Sequence, residues 1–323
     1  MAWGADVVMK DLTGLEMEVV LPPERRLLGG IGGIEATVGL LRKETNRRAV
    51  DGRFFQDKHE RAQAWVAGHI IVDSELSIHP PGVEVVLPPL DLEEEIKLAR
   101  HVAVTLANAG YTTNESTSLQ ANQGAKGMGL QAIKRLLANG YINEDLFDRI
   151  VAPDRQGANA PNYADTLRQG KKPDLAMRVI DTARASNELT TRVLHPENGD
   201  FYGKVNINKL ALRGAVEWRQ HEGTLDPDAI ENWARLTRAL TDYSRDQEVV
   251  LTPQGELPAV KRGDLKAVGA ALLKPPIWTD RERFNHLMGK AGQPVLEYYQ
   301  MKSMELELAH GPAQTVPLHP VSK

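Results

Sequence analysis

The chain of 323 residues contains no cysteine. This absence excludes disulfide bonds, thiolate nucleophiles and metal sites built on cysteine sulfur. Any metal ion would have to be bound by histidine, aspartate or glutamate. Aromatic residues are also scarce, at 5%, so the hydrophobic core must consist mainly of leucine, valine, isoleucine and alanine.

Long apolar runs are missing as well. No segment approaches the ~18 apolar residues of a membrane span, and the first residues lack the basic and apolar parts of a signal peptide. We therefore expect a cytoplasmic (or virion) protein with no membrane partner. The net charge is −4 and the isoelectric point is about 6.2, so nucleic acid remains an alternative partner that the net charge does not support.

Two segments have strong helix signals. In residues 91–109, Asp91 suits the N-cap, three glutamates follow it in the first turn, and apolar residues recur every three or four positions. In residues 226–243, Asp226 and Pro227 suit the first positions of a helix. Weaker helical periodicity covers several other segments, among them residues 34–48, 130–138 and 207–219.

Strand signals are few and short. They cover residues 17–21, 69–72, 83–87 and 249–251, with a hairpin over 190–205 around Asn198-Gly199. The polar stretch 112–129 predicts a long loop and a boundary. We therefore predict an α+β fold that is predominantly helical, with a small sheet and extended terminal segments. Residues 1–111 would form an N-terminal arm, a small sheet and a long helix; residues 112–323 would form a mainly helical domain with an extended C-terminal tail.

One short repeat is present. The sequence EVVLPP occurs at residues 18–23 and again at 84–89, in each case as a short strand pattern ended by two prolines. One interpretation is a coincidence between similar strand ends. The other is that the two strands occupy related edge positions and pair within or between subunits.

The best candidate for a binding motif is the glycine-rich stretch before the helix at residue 130. Its glycines would let main-chain amides approach an anion, and Lys126 would add charge. The spacing matches neither common nucleotide-binding pattern. The candidate phosphate-binding residues are Gly124, Lys126, Gly127 and Gly129; the alternative is a flexible surface loop or one that contacts a neighbouring subunit.

Two further clusters have weaker functional readings. Gly29, Gly30, Gly32 and Gly33 predict a hinge between an N-terminal arm and the next helix, since a dinucleotide-binding pattern fails at Glu35. His195, Glu197 and Asp200 are weak candidates for a metal site. The same residues also suit the turn of a hairpin.

No pattern of a hydrolase, zinc protease or other common catalytic class occurs. We therefore predict no catalytic residues and no cofactor. The sequence favours a protein that is not an enzyme, without deciding the question. The favoured function is a structural, self-assembling subunit that binds other copies of itself or subunits of a larger assembly. The order of an arm, a strand-bounded excursion and a long helix is similar to a tailed-phage capsid subunit, although no residue motif carries that similarity. The alternatives are a phosphate- or nucleotide-binding enzyme that uses residues 124–129, and a nucleic-acid-associated subunit.

Overall fold

The computed structural model describes residues 11–26, 29–157, 173–189 and 203–314. The chain divides into two compact units. The first comprises Met1–Lys126 and Leu210–Arg235, and the second comprises Gly127–Lys209 and Leu236–Lys323. The division predicted between residues 111 and 112 remains a prediction.

The described residues form a seven-stranded mixed sheet and a separate two-stranded hairpin of β8 and β9. The strand order in the large sheet is β2-β3-β4-β1-β5-β7-β6; β2 and β3 are parallel, and β1 is antiparallel to both β4 and β5. The strands are β1 (Thr13–Val20), β2 (Ala49–Asp51), β3 (Ile70–Glu75), β4 (Gly82–Val86), β5 (Ser118–Gly124), β6 (Val205–Asn206), β7 (Ala215–Glu222), β8 (Val249–Thr252) and β9 (Gly255–Pro258).

Helices occur before, between and after these strands. They are α1 (Pro23–Arg26), α2 (Gly29–Thr45), α3 (Lys58–Val66), α4 (Leu92–Asn108), α5 (Leu130–Ile142), α6 (Glu144–Asp148), α7 (Pro173–Thr182), α8 (Ser186–Leu189), α9 (Lys209–Arg213), α10 (Pro227–Asp246), α11 (Asp264–Ala271), α12 (Asp280–Gly289) and α13 (Gln293–His310). None of the helices in this described part of the chain is long and apolar enough to cross a membrane.

The prediction of a predominantly helical fold with a small sheet is wrong, because the fold is mixed α/β. The error comes from two segments. The stretch 112–129, expected to be a loop, contains β5, and the expected helix at 207–219 contains only the short helix α9 and then most of β7. Gly214 separates α9 from β7 with a φ of +64°, a conformation that glycine adopts readily and that ends helical periodicity.

The core of the first unit lies on one face of its strands. Leu15, Met17 and Val19 alternate along β1 and are at most 1% exposed. Helix α4 packs against β1 and against α2, and its apolar stripe is buried as the 91–109 pattern predicts. Asp91 precedes α4 as expected, but its side chain makes no capping hydrogen bond.

The two EVVLPP segments form neighbouring strands near the centre of the sheet rather than related edges. In the antiparallel pairing of β1 with β4, Glu18 lies opposite Glu84 and Val19 lies opposite Val83. The prolines follow each strand, where their missing N–H donors interrupt the ladder. The repeat therefore reflects two paired strands with similar ends.

The second unit has a mainly helical core with a polar contact to its hairpin. Asn139 of α5 accepts the N–H of Leu251 through Oδ1 over 2.9 Å, and its Nδ2 donates to Ser244 Oγ over 3.1 Å. Helix α5 therefore continues through Asn139 to Ile142 instead of ending at residue 138. The predicted hairpin around Asn198-Gly199, the first ten residues and residues 315–323 of the predicted tail lie outside the described residues.

Candidate active site

One face of the sheet in the first unit carries polar side chains on three adjacent strands. Successive side chains of a strand point to opposite faces, so residues that alternate with the apolar side chains of β1 share its other face. The neighbouring strands continue this row, since β5 pairs with β1 and β7 pairs with β5, with one register shift between Leu119 and Ala121. The cluster, called the polar face below, consists of Glu16, Glu18, Gln120, Asn122, Glu217 and Arg219.

Two side-chain amides of β5 bind the two glutamates of β1. Asn122 Nδ2 donates to Glu16 Oε1 over 2.9 Å, and Gln120 Nε2 donates to Glu18 Oε1 over 3.0 Å. The other carboxylate oxygen of Glu18 accepts the main-chain N–H of Ser118 over 2.8 Å. These bonds hold both carboxylates at set positions in the interior of the unit.

Strand β7 adds one acid and one guanidinium group. Its pairing with β5 is interrupted by a β-bulge, and Arg219 lies at this bulge, a feature that commonly redirects a side chain. Arg219 Nη1 donates to Glu217 Oε2 over 2.9 Å. Burial by itself lowers the pKa of Arg219, but attraction to Glu217, Glu16 and Glu18 outweighs burial and raises that pKa.

A second arginine reaches the polar face from the end of α9. Arg213 Nη1 lies 3.5 Å from Glu16 Oε1, and its guanidinium carbon lies 4.9 Å from the centre of the Trp65 ring. This stacking is a cation–π contact. Trp65 therefore supports the cation that faces Glu16.

A third arginine binds the acids of the adjoining strands. Arg61 of α3 forms an ion pair with Asp73 of β3, and its Nη2 lies 3.6 Å from Glu84 Oε2 of β4. Since Glu84 lies opposite Glu18 in the β1–β4 pairing, these acids extend the polar face toward β3.

Burial affects the charge of two acids in this region. Burial raises the pKa of Glu18, and repulsion by Glu75 adds to the increase, while Ser118 and Arg219 oppose it. Burial also raises the pKa of Asp73, against the attraction of Arg61. Since burial disfavours the ionised form of a carboxyl group, a bound cation would stabilise the ionised form of both acids. The acids in the region are Glu16, Glu18, Asp73, Glu84 and Glu217, and the cations are Arg61, Arg213 and Arg219.

The amide oxygens of β5 indicate what kind of partner fits. Gln120 Oε1 and Asn122 Oδ1 are buried and have no hydrogen-bond partner among the described residues. Buried acceptors of this kind normally bind water, an ion or a ligand. Oxygen donors from carboxylates and amides are the set that hard divalent cations prefer, so the residues present fit such a cation. Within the described ranges, no three histidine, aspartate or glutamate side chains form a complete metal site.

The predicted phosphate-binding residues lie next to this strand. Gly124 is the last residue of β5, and its N–H donates to Leu12 O over 2.8 Å. Lys126 and Gly127 are exposed, Gly127 has a φ of +86°, and Gly129 is the N-cap residue of α5. A phosphate-binding role for these residues remains a prediction.

The other predicted site residues are either helical or outside the described part. Gly29, Gly30, Gly32 and Gly33 lie in the first turns of α2, and a Cβ at Gly33 would lie 2.4 Å from Leu21 Cδ1. Close packing therefore explains Gly33, while the proposed hinge remains a prediction. The weak metal candidates His195, Glu197 and Asp200 lie outside the described residues.

Sequence reasoning missed every residue of the polar face. A signal was present in β1, where Glu16 and Glu18 alternate with buried apolar residues, and in the alternating Gln120 and Asn122 of β5. Such alternation also occurs in strands that have one face in water, so it could not show that these residues are buried. Their convergence depends on the pairing of segments about a hundred residues apart.

A buried sheet face that combines carboxylates, arginines and amide oxygens without partners among the described residues is typical of a polar ligand-binding site in an enzyme. Residues 41–241, more than half of the chain, match the family model described as "Putative amidoligase enzyme". The chain belongs to this family. No curated protein matches the chain.

The family match corrects the functional prediction. A non-catalytic shell, virion or capsid subunit is wrong, because an amidoligase family groups enzymes that join molecules through amide bonds. The sequence prediction failed because the site is composed of side chains from separate strands, with no continuous motif. Self-association with other copies or a larger assembly was not contradicted and remains a prediction.

Proposed function

We propose that this protein is a ligase that joins a carboxylate to an amine, with its reaction centre on the polar face. The observation that carries the proposal is the pair of buried, unpaired oxygens of Gln120 and Asn122 beside Glu16 and Glu18, in a chain of an amidoligase family. The proposal assigns these residues to ligand binding. A cytoplasmic location belongs to the same proposal.

Amide formation requires an activated carboxylate, because oxygen does not leave readily from a carboxylate in water. Phosphoryl transfer from a nucleoside triphosphate to the substrate carboxylate yields an acyl phosphate and a nucleoside diphosphate. Attack by the amine then forms the amide and releases phosphate and a proton. The reactants are mostly anionic, so the protein must neutralise charge and align the groups.

The residues of the polar face suit these tasks. Glu16 and Glu18, with the amide oxygens of Gln120 and Asn122, would hold a divalent cation, which when bound neutralises phosphate oxygens. Arg219 and Arg213 place guanidinium groups near the same carboxylates, and guanidinium groups bind phosphates and carboxylates well.

The test is a ligase assay with the complete chain. The protein is incubated with Mg²⁺, a nucleoside triphosphate and panels of amino acids, short peptides and amines. Phosphate release and the mass of new amide products are measured. We expect product that requires both a carboxylate and an amine, and a decrease of at least about 100-fold in Glu16→Gln, since even outer-shell residues of metal sites cost 10–100-fold.

The matched control is Glu93→Gln, the same chemical change elsewhere in the first unit. Glu93 is largely exposed and pairs with Arg235 over 2.5 Å, so we expect nearly unchanged activity. Equal activity of Glu16→Gln and the parent protein would refute the assignment of the polar face. Failure to form an amide from any pair in the panels, together with no triphosphate cleavage, would count against the ligase function itself.

A further inference from the structure

The ladder between β1 and β4 is broken beside Glu16. The N–H of Leu87 donates to Leu15 O over 2.8 Å, and in a regular antiparallel pair Leu15 would donate back to Leu87. The next pair joins Thr13 to Leu90. Between these two pairs β1 covers two residue steps, whereas the segment after β4, which contains the two prolines, covers three. The return bond at Leu15 is replaced by other groups.

Two side chains from different helices occupy this break. Glu95 Oε1 of α4 accepts the N–H of Leu15 over 2.8 Å. Trp65 Nε1 of α3 donates to Leu87 O over 2.5 Å, while its ring supports Arg213. The donor and the acceptor freed from the ladder are thus both satisfied by side chains.

Glu95 is one of the three first-turn glutamates of α4, and it differs from Glu93 and Glu94 in being buried. It is 0% exposed, and its Oε2 has no hydrogen-bond partner in the described structure. Burial raises the pKa of Glu95 well above its usual value, against the opposing effects of Leu15 and Arg47. Favourable interaction with the helix dipole, which the exposed Glu93 can also provide, does not explain a carboxyl group in this position.

We propose that Glu95 is a positioning residue for the Glu16 carboxylate: it holds the β1 main chain at Leu15, where the ladder to β4 is open. The Leu15 N–H belongs to the peptide unit between Gly14 and Leu15, so its displacement turns the main chain at Leu15 Cα. That turn moves the next peptide unit, which leads to Glu16, and so changes the direction of the Glu16 side chain. The inference rests on the proposed role of Glu16 in cation binding. Glu95 would then be one of the residues that determine the geometry of the site, although it approaches β1 from the opposite side of the strand.

The test measures the affinity of the folded protein for Mn²⁺, by the loss of the free-ion electron paramagnetic resonance signal. Glu95→Leu removes the acceptor for Leu15, and we expect the dissociation constant to increase about tenfold or more. Glu95→Gln keeps a carbonyl oxygen for Leu15 and should bind within about threefold of the parent. Glu95→Asp, one methylene shorter, should lie between them and serves as the comparison for Glu95→Gln if Glu95→Leu does not fold.

The control for general destabilisation is Thr37→Val. Thr37 is buried in the same unit and donates to Gly33 O over 2.7 Å, so its loss should lower the melting temperature without changing Mn²⁺ affinity. Parent-like affinity in Glu95→Leu or Glu95→Asp, or equal weakening in Glu95→Gln, would overturn the positioning role and leave the proposed function intact. No Mn²⁺ binding by the unaltered protein would refute the cation site, and with it this inference.

Discussion

Each of the two units contains a buried cluster of charges, and the two clusters differ in completeness. In the second unit, Lys204 is 1% exposed, and its Nζ lies 3.0 Å from Glu144 Oε1 and 2.6 Å from Asp148 Oδ1. The other oxygen of Asp148 accepts the N–H of Gly157 over 3.1 Å. Both acids of this cluster therefore lie within ion-pair distance of the same lysine.

On the polar face of the first unit, some buried acceptors lack a hydrogen-bond donor among the described residues. They include the amide oxygens of Gln120 and Asn122. Buried polar groups are normally paired, so unpaired acceptors beside carboxylates indicate a binding site, whereas a closed ion cluster indicates structure. The comparison shows that completeness of pairing, rather than burial of charge, separates the two roles.

The largest expected effect follows from Lys204→Met, which removes the cation that lies between Glu144 and Asp148 in the closed cluster. Two carboxyl groups would then remain buried together, and breaking a buried pair costs about 3–5 kcal/mol. We expect a decrease of this size in the free energy of unfolding by urea at pH 7.5. The exposed pair of Lys43 with Glu44 provides the control Lys43→Met, which should leave the free energy of unfolding nearly unchanged because water screens the pair. A similar small change for Lys204→Met would show that the cluster is not structural.

A smaller effect concerns the pH dependence of the same cluster. Burial raises the pKa of Asp148 from 3.8 to about 6, with repulsion by Glu144 adding to the increase and Lys204 opposing it. A pKa raised in the folded state means that stability is fully present below the unfolded pKa and is lost as pH rises through the folded pKa. We expect Asp148→Asn to remove a decline on the order of 1–3 kcal/mol between about pH 4 and 6.5.

The control for this pH effect is Asp246→Asn. Asp246 bonds to Arg245 over 2.8 Å, and this bond lowers the pKa of Asp246. Its contribution to stability is present at higher pH and is lost as the pH falls, so the two aspartates should give opposite signs in urea unfolding across the pH range. Equal pH profiles for the parent protein and Asp148→Asn would refute the account of the closed cluster.

The smallest expected effect concerns the stability of the polar face. In Glu18→Gln one negative charge is removed. The new amide oxygen keeps an acceptor for the N–H of Ser118, and Gln120 can turn its own amide so that its oxygen accepts from the new NH₂ group. Because burial raises the pKa of Glu18, its ionised form disfavours folding near neutral pH. We expect a gain of about 1 kcal/mol in unfolding free energy at pH 7.5, as is common when a functional residue is replaced, and no gain at pH 4. Destabilisation of Glu18→Gln at pH 7.5 would contradict this prediction and would show that the ionised Glu18 stabilises the fold.

Helical elements were easier to predict than the strands of the site. The 91–109 and 226–243 patterns correspond to α4 and α10, because both helices bury one regular apolar stripe. Strands β1, β3, β4 and β8 were found from their runs of valine, isoleucine and leucine. The function, the sheet and the buried role of Glu95 were not predicted.

Two of the missed strands, β5 and β7, carry four of the six residues of the polar face. In β5 only Leu119 and Ala121 are apolar, so the strand has the composition of a loop, and its burial results from pairing with β1 and β7. In β7 the side chains on the polar face include Glu217 and Arg219, whereas a buried strand normally has apolar residues at such positions. Local sequence signals are weak where a site requires polar residues in the interior. The partner segments, which lie about a hundred residues apart, cannot be matched by spacing.

The most direct measurement is an anomalous difference map from crystals of the unaltered protein soaked in Mn²⁺. The account predicts a peak within about 2.5 Å of carboxylate oxygens of Glu16 or Glu18, with Gln120 Oε1 or Asn122 Oδ1 also in contact. Mn²⁺ at His195, Glu197 and Asp200 alone, or no Mn²⁺ on the polar face of a crystal that binds it elsewhere, would contradict the account.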